Sequence, residues 1–329
     1  MTPPRSGLRL PPSREGSASG PAKPDPRRSL GNPGGLAGGF TLVEMVIALV
    51  LISVLALVAA PLLRLPLSGW LDASRRAGLA QALDTVQGKL ADDFRRALPN
   101  SVRIRQVGAR VLVETLEVRA SGRHRAGPSG AAQVCPAVCS AAGARDQLEA
   151  GCNETCFTSL GALDGDVPLA GDWVVVNPLG PGVAGGDPYF GGNAAVGGGI
   201  KTRLLDTAAA ADGRRLRIVA HNFPALAASR RFHIVSTPVT WDCDPATQRL
   251  TRRWGYPVAA AQPAAFAAGV PSAPLATNVL ACSVRYTAAG ALGRGGLVTF
   301  SVRLAQTAAD TGVPEQIELS AALPVSDGP

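Results

Sequence analysis

Glu44 is the one ionisable side chain between Phe40 and Leu63, and it lies shortly after two glycines, Gly38 and Gly39. A carboxylate within an apolar membrane helix costs on the order of 2.5–3.5 kcal/mol near the centre of a bilayer and less near its edge. Glu44 therefore either sits at the headgroup level in contact with water or meets a cation. Cleavage of the chain between Gly39 and Phe40 would create such a cation, an α-amino group on Phe40 one helical turn from the carboxylate. A secretory signal carries its small-residue cleavage site after the apolar run, whereas Gly38 and Gly39 stand before it. A cut there leaves the hydrophobic helix on the mature chain.

The six cysteines are the next residues with chemistry to offer: Cys135, Cys139, Cys152, Cys156, Cys243 and Cys282. The first four repeat a C-x3-C spacing, which falls within the range that holds structural zinc. All six lie after the apolar stretch, and thiols on the oxidising side of a membrane form disulfides. Disulfides are the expectation, with zinc as the alternative. Cys243 and Cys282 flank expected strands and are paired with each other here, while the other four allow three pairings.

Other constellations are weak. Gly180, Gly182 and Gly185 give a G-x-G-x-x-G match after an expected strand, but the sequence that follows, Gly186-Asp187-Pro188-Tyr189, reads as loop and not as the helix a dinucleotide site requires. His124, His221 and His233 are dispersed, and His233 alternates with Phe232 and Ile234, which places it on the solvent side of a strand. Asp164, Asp166, Asp172 and Asp187 lack calcium-loop spacing and read as turn formers. The expectation is a protein that is not an enzyme and holds no cofactor or metal.

These residues need elements to position them. The stretch from Phe40 to Leu63 is long and apolar enough to span a bilayer. Pro61, Pro66 and Gly69 predict a kink or short break where it ends, with Pro61 the kink residue. Helical periodicity then resumes from Trp70 to Ala97, with Leu79, Leu83, Val86, Leu90, Phe94 and Leu98 on one stripe, and Pro99 stops it. The stripe is too short for a coiled coil and reads as a core face. Strand patterns follow at 101–106, 110–119, 172–177, 214–220, 232–241, 249–256, 279–287, 297–305 and 316–323, separated by long Gly/Ala/Pro-rich loops at 120–170 and 178–200. One long helix followed by strands predicts an α+β fold, the helix lying on a mainly antiparallel sheet. The divisions are a leader at 1–39, a membrane helix at 40–63, an amphipathic helix at 64–98 and a β-rich domain at 99–329.

The chain has 329 residues, 46% of them hydrophobic, enough for a substantial core. Half of the net charge of +8 comes from the first 39 residues, where Arg5, Arg9, Arg14, Lys23, Arg27 and Arg28 outweigh Glu15 and Asp25. That placement follows the positive-inside rule, with the leader cytoplasmic and the chain after Leu63 on the far side. The other arginines fall in scattered pairs such as Arg75-Arg76, Arg95-Arg96, Arg230-Arg231 and Arg252-Arg253, without interleaved aromatics; they read as solvated faces, and nucleic-acid binding is not expected.

The run GG-FTLVE followed by about 20 apolar residues, with Pro61 at the 22nd position counted from Phe40, resembles the class III signal of type IV pilins and type II secretion pseudopilins. The resemblance implies that a prepilin peptidase cuts after Gly39 and methylates the amine of Phe40, and that Glu44 pairs with the N-terminal amine of a neighbouring subunit during assembly. The segments PLLRLPLSGWLDASRRAGL, RRALPNSVRI, GDWVVVNPLGPG, DPYFGGN, RRFHIVSTPVTWDCD, LTRRWGYPV and ACSVRY are similar to the minor pilin O family of the mannose-sensitive haemagglutinin pilus system. What this implies is a pilin-like fold and an inner-membrane, single-pass subunit with its C-terminal domain in the periplasm. Its partners would be major and minor pilins and, indirectly, the pilus assembly platform and its ATPase. A type II pseudopilin, or a signal-anchored periplasmic binding protein or enzyme, are the alternative readings.

Overall fold

The computed structural model describes residues 39–125, 146–192, 198–210, 213–287, 295–307 and 314–326. The leader before Gly39 and the segment holding Cys135 and Cys139 lie outside them. The chain divides into two compact units, residues 1–61 and 62–329.

A single helix, α1, runs from Leu42 to Arg95. Within the first unit every described side chain from Phe40 to Ala59 is exposed. The backbone stays helical through Pro61, Pro66 and Gly69, so the expected break is absent. An interior proline costs about 3 kcal/mol relative to alanine, yet ending and restarting a helix forfeits several backbone bonds and a second nucleation. Continuity is the lesser cost.

The second unit is built on the other end of α1. Leu79, Leu83, Val86, Leu90 and Phe94 are all at most 5% exposed and share one core with residues of the strands below. Full burial of such a side chain is worth about 1.5–3 kcal/mol, so this stripe anchors the domain more than helix propensity does.

Thirteen strands are described: β1 (Arg103–Val107), β2 (Arg110–Arg123), β3 (Asn153–Thr158), β4 (Asp164–Gly165), β5 (Trp173–Val176), β6 (Lys201–Ala210), β7 (Gly213–Asn222), β8 (Arg231–Asp244), β9 (Arg249–Trp254), β10 (Ser272–Thr277), β11 (Val279–Thr287), β12 (Gly295–Thr307) and β13 (Pro314–Ser326). Each described ladder is antiparallel, in a ten-stranded sheet and a separate three-stranded sheet ordered β11-β12-β13. The fold is α+β. Strands β3 and β4 fall inside the stretch expected to be loop, and β6 and β10 were not among the expected strands. In β3 the buried positions include Glu154 and Cys156, and in β6 they include Lys201 and Thr202, so no apolar alternation announces them.

Strand β8 organises the larger sheet. One edge pairs with β2 from Val111 to Arg123, while the other edge is shared, Phe232–Val235 with β5 and Val239–Asp244 with β9. Both faces are covered too: Phe232 and Ile234 enter one core, Val235 a second, and Val239 and Trp241 the core beneath α1. This corrects the expectation for His233, which is only 5% exposed. A strand with elements packed on both faces has no solvent side to offer.

Candidate functional site

The N-terminal site begins at Thr41, whose hydroxyl oxygen accepts the backbone N–H of Glu44 at 3.2 Å. Thr41 is thus the N-cap of α1 and Glu44 its third residue, the T-x-x-E spacing of a capping box. The Thr41 carbonyl also accepts the Met45 N–H at 3.1 Å. A carboxylate in the first turn also complements the partial positive charge of the helix start. The T-x-x-E spacing before an apolar run makes the capping role of Thr41 legible in the sequence, beyond its place in the signal. Gly39 and Phe40 lie just before the first turn, and both are exposed. Cleavage between them places an amine next to the cap.

The helix that this site heads is apolar enough over Leu42–Ala59 to cross a membrane, with mean hydropathy 2.9. Phe40 and Leu42 are 81% and 80% exposed. Such a surface needs lipid or other helices around it, since water-exposed apolar patches of this size mark interaction sites.

The domain carries the remaining expected residues. Cys243 of β8 and Cys282 of β11 are joined, with Cα atoms 6.4 Å apart, so the bond ties the ten-stranded sheet to the three-stranded one. Cys152 and Cys156 each take part in a disulfide as well. The glycines at 180, 182 and 185 close a turn: Leu179 and Val183 exchange backbone bonds with Gly186 at 2.9 and 3.0 Å, and the Gly182 N–H donates to the Asp187 carboxylate at 2.9 Å. Asp187 accepts the Tyr189 N–H as well, at 2.8 Å. Asp172 accepts the Leu169 N–H and pairs with Arg119, at 2.8 and 2.9 Å.

The arginine pairs are not all solvated faces. Arg252 reaches Asp93 at 2.6 Å and its side chain is 11% exposed, while Arg110 and Arg253 both hold Asp242, at 2.7 and 3.0 Å. Arg103 bonds the fully buried Glu114 at 2.6 Å, lies 3.6 Å over the Tyr189 ring, and donates to the carbonyls of Ala259 and Ala260. Burial pushes the Glu114 carboxyl above its ordinary range, against the pull of Arg103. Burial also drives the His233 imidazole down to about 4, helped by the charge of Arg231. These groups lock the domain together, and their charges are directed inward because β2, β8 and β9 are central or covered.

Residues 36–60 match the family model of the prokaryotic N-terminal methylation motif. No curated protein and no solved structure matches the chain. That motif is a class III signal, which implies processing by a prepilin peptidase, and with the capped apolar helix that follows it the motif supports a type IV pilin-like or pseudopilin-like precursor.

Proposed function

We propose that the chain is a minor pilin-like subunit for biogenesis of a type IV pilus of the mannose-sensitive haemagglutinin type. The observation that carries this reading is the methylation motif at 36–60 placed at the head of an apolar helical stretch, Leu42–Ala59, whose side chains are all exposed. The leader stays in the cytoplasm, the prepilin peptidase cuts after Gly39, and the new amine of Phe40 is methylated. The helix waits in the inner membrane with the β-rich domain in the periplasm. On assembly it moves from lipid into a bundle of equivalent helices, where Glu44 pairs with a neighbour's amine in surroundings of low dielectric. The assembly platform and its ATPase act on the subunit indirectly. The domain works by contact with other major and minor pilins, in an initiating or tip complex, and not by catalysis.

The test is the N-terminal residue and mass of the protein from membranes of cells with and without the peptidase. N-methylated phenylalanine at Phe40, present only with the enzyme, supports the reading; an intact leader, or a cut after the apolar run, overturns it. Deleting the gene separates the two machines that use this signal. Loss of surface pili supports the pilus assignment, and loss of protein secretion with pili intact replaces it by a type II pseudopilin.

A further inference from the structure

A cleft of about 750 Å³ opens between β5, β6 and the segment around Ala259. Its inner wall is buried, with Trp173 5% and Lys201 2% exposed, while Phe190 stands at its mouth at 49%. The volume is that of a small-molecule site, which ordinarily joins an apolar lining to a few placed polar groups.

Its charge is one-sided. Lys201 and Arg203 line it, and no carboxylate does among the described residues. The Lys201 ammonium donates to the Phe190 carbonyl at 2.8 Å, its one hydrogen bond to protein among the described residues, although an ammonium has three donors. Buried lysines are seldom left without an acidic partner. Burial holds Lys201 down to about 8, with Asp187 acting against burial and Arg103 and Arg203 adding to it. An anion in the cleft would supply the missing acceptors and restore the charge.

The walls are rigid. Arg203 lies 3.7 Å over the Trp173 ring, and Arg103 holds the Ala259 and Ala260 carbonyls at 3.0 and 2.7 Å. Gly192 has φ +78°, and a Cβ there would meet the Lys201 carbonyl at 2.5 Å and the Trp173 ring at 2.9 Å, so this wall accepts only glycine. Such preorganisation lowers the ordering cost of binding.

We propose that this cleft binds a small carboxylate carried on a six-membered ring, the carboxylate against Lys201 and Arg203 and the ring against Phe190 and Ala259. An acidic sugar and an aromatic acid share that chemistry. The site does not depend on processing at Gly39 or on filament assembly.

Calorimetric titration of the full chain in non-ionic detergent with glucuronate, benzoate, and their neutral counterparts glucose and benzyl alcohol tests it. At least one acid should bind, about tenfold or more tighter than its neutral counterpart, and Lys201→Met should weaken it by about tenfold, as loss of a charge-assisted hydrogen bond predicts. Binding of glucuronate alone assigns the cleft to acidic sugars, and of benzoate alone to aromatic acids; either supports the proposal. No heat from either acid up to about 10 mM, or equal binding of acid and neutral partner, overturns it. If Lys201→Met does not fold, the exposed Arg203→Gln decides: a loss of about threefold or more supports the proposal and unchanged affinity overturns it.

Discussion

The Asp93 carboxylate of α1 holds the Arg252 guanidinium of β9 through two hydrogen bonds, of 2.6 and 3.0 Å, and also accepts the Trp241 indole N–H at 3.0 Å. One side chain thereby joins the helix to two strands of the larger sheet. Removing a single partner of such a buried pair leaves an uncompensated charge, so Asp93→Ala should cost about 3–5 kcal/mol. The double variant Asp93→Ala, Arg252→Met should recover part of that loss. Denaturant unfolding of the four proteins of the cycle measures it.

Glu44→Gln removes the charge but keeps the shape and the backbone N–H that Thr41 caps. Membrane insertion and cleavage after Gly39 should be unchanged, while the amount recovered in sheared filaments should fall by about tenfold or more, the worth of one charge pair in a low dielectric. A merely tethered protein would tolerate the change, so normal incorporation counts against the assembly role.

Thr41→Ala takes away the N-cap oxygen and should destabilise the first turn of α1 by about 1 kcal/mol, with Thr41→Ser close to wild type. Hydrogen exchange at the Glu44 amide in micelles reads this directly. Exchange about fivefold faster in the alanine variant alone is the expected outcome.

The Cys243–Cys282 bond closes a loop with a sequence separation of 39 residues. The chain-entropy relation then gives about 4 kcal/mol of stabilisation, an upper figure because strain and residual structure reduce it. Replacing both cysteines with alanine should lower the denaturation midpoint clearly while leaving the signal at Gly39 and Phe40 cleavable.

Acid should weaken the domain through His233. Its folded-state value of about 4 lies below the ordinary value of 6.5, so its contribution is complete above 6.5 and is lost as pH falls from there towards 4. Glu154 works the other way: burial raises it from 4.5 to about 7, so the stability associated with its neutral form is present below 4.5 and lost as pH rises through 7. The two oppose each other between 4.5 and 6.5. His233→Gln isolates the first, and its stability should decline less steeply than wild type on acidification, by up to about 3 kcal/mol over the window.

The amphipathic half of α1 was legible because Leu79, Leu83, Val86, Leu90 and Phe94 repeat at helical spacing, and local periodicity is what a sequence displays best. The signal at Gly39, Phe40 and Glu44 was legible because its parts are contiguous. Strand β6 was not, since Lys201, Thr202 and Arg203 hide it behind polar side chains whose partners are the Phe190 carbonyl, the Val219 carbonyl of β7 and the Trp173 ring of β5. The burial of His233 was equally hidden, because it depends on what β2, β5 and β9 do around β8. The misreading of Arg252 has the same origin: its partner Asp93 is far away in sequence, and pairing at that distance leaves no local trace.

The link between Cys243 and Cys282 also sets a path for mechanical load. Without it, a pull on the β12–β13 hairpin would reach β8 through a tether of 39 residues, which at about 3.4 Å each could pay out on the order of 130 Å before going taut. With it, the slack is gone and the two sheets move as one body under traction. Traction that reaches Cys282 of β11 is therefore handed to β8 through a covalent link, while β12 and β13 depend on their backbone ladders to follow it.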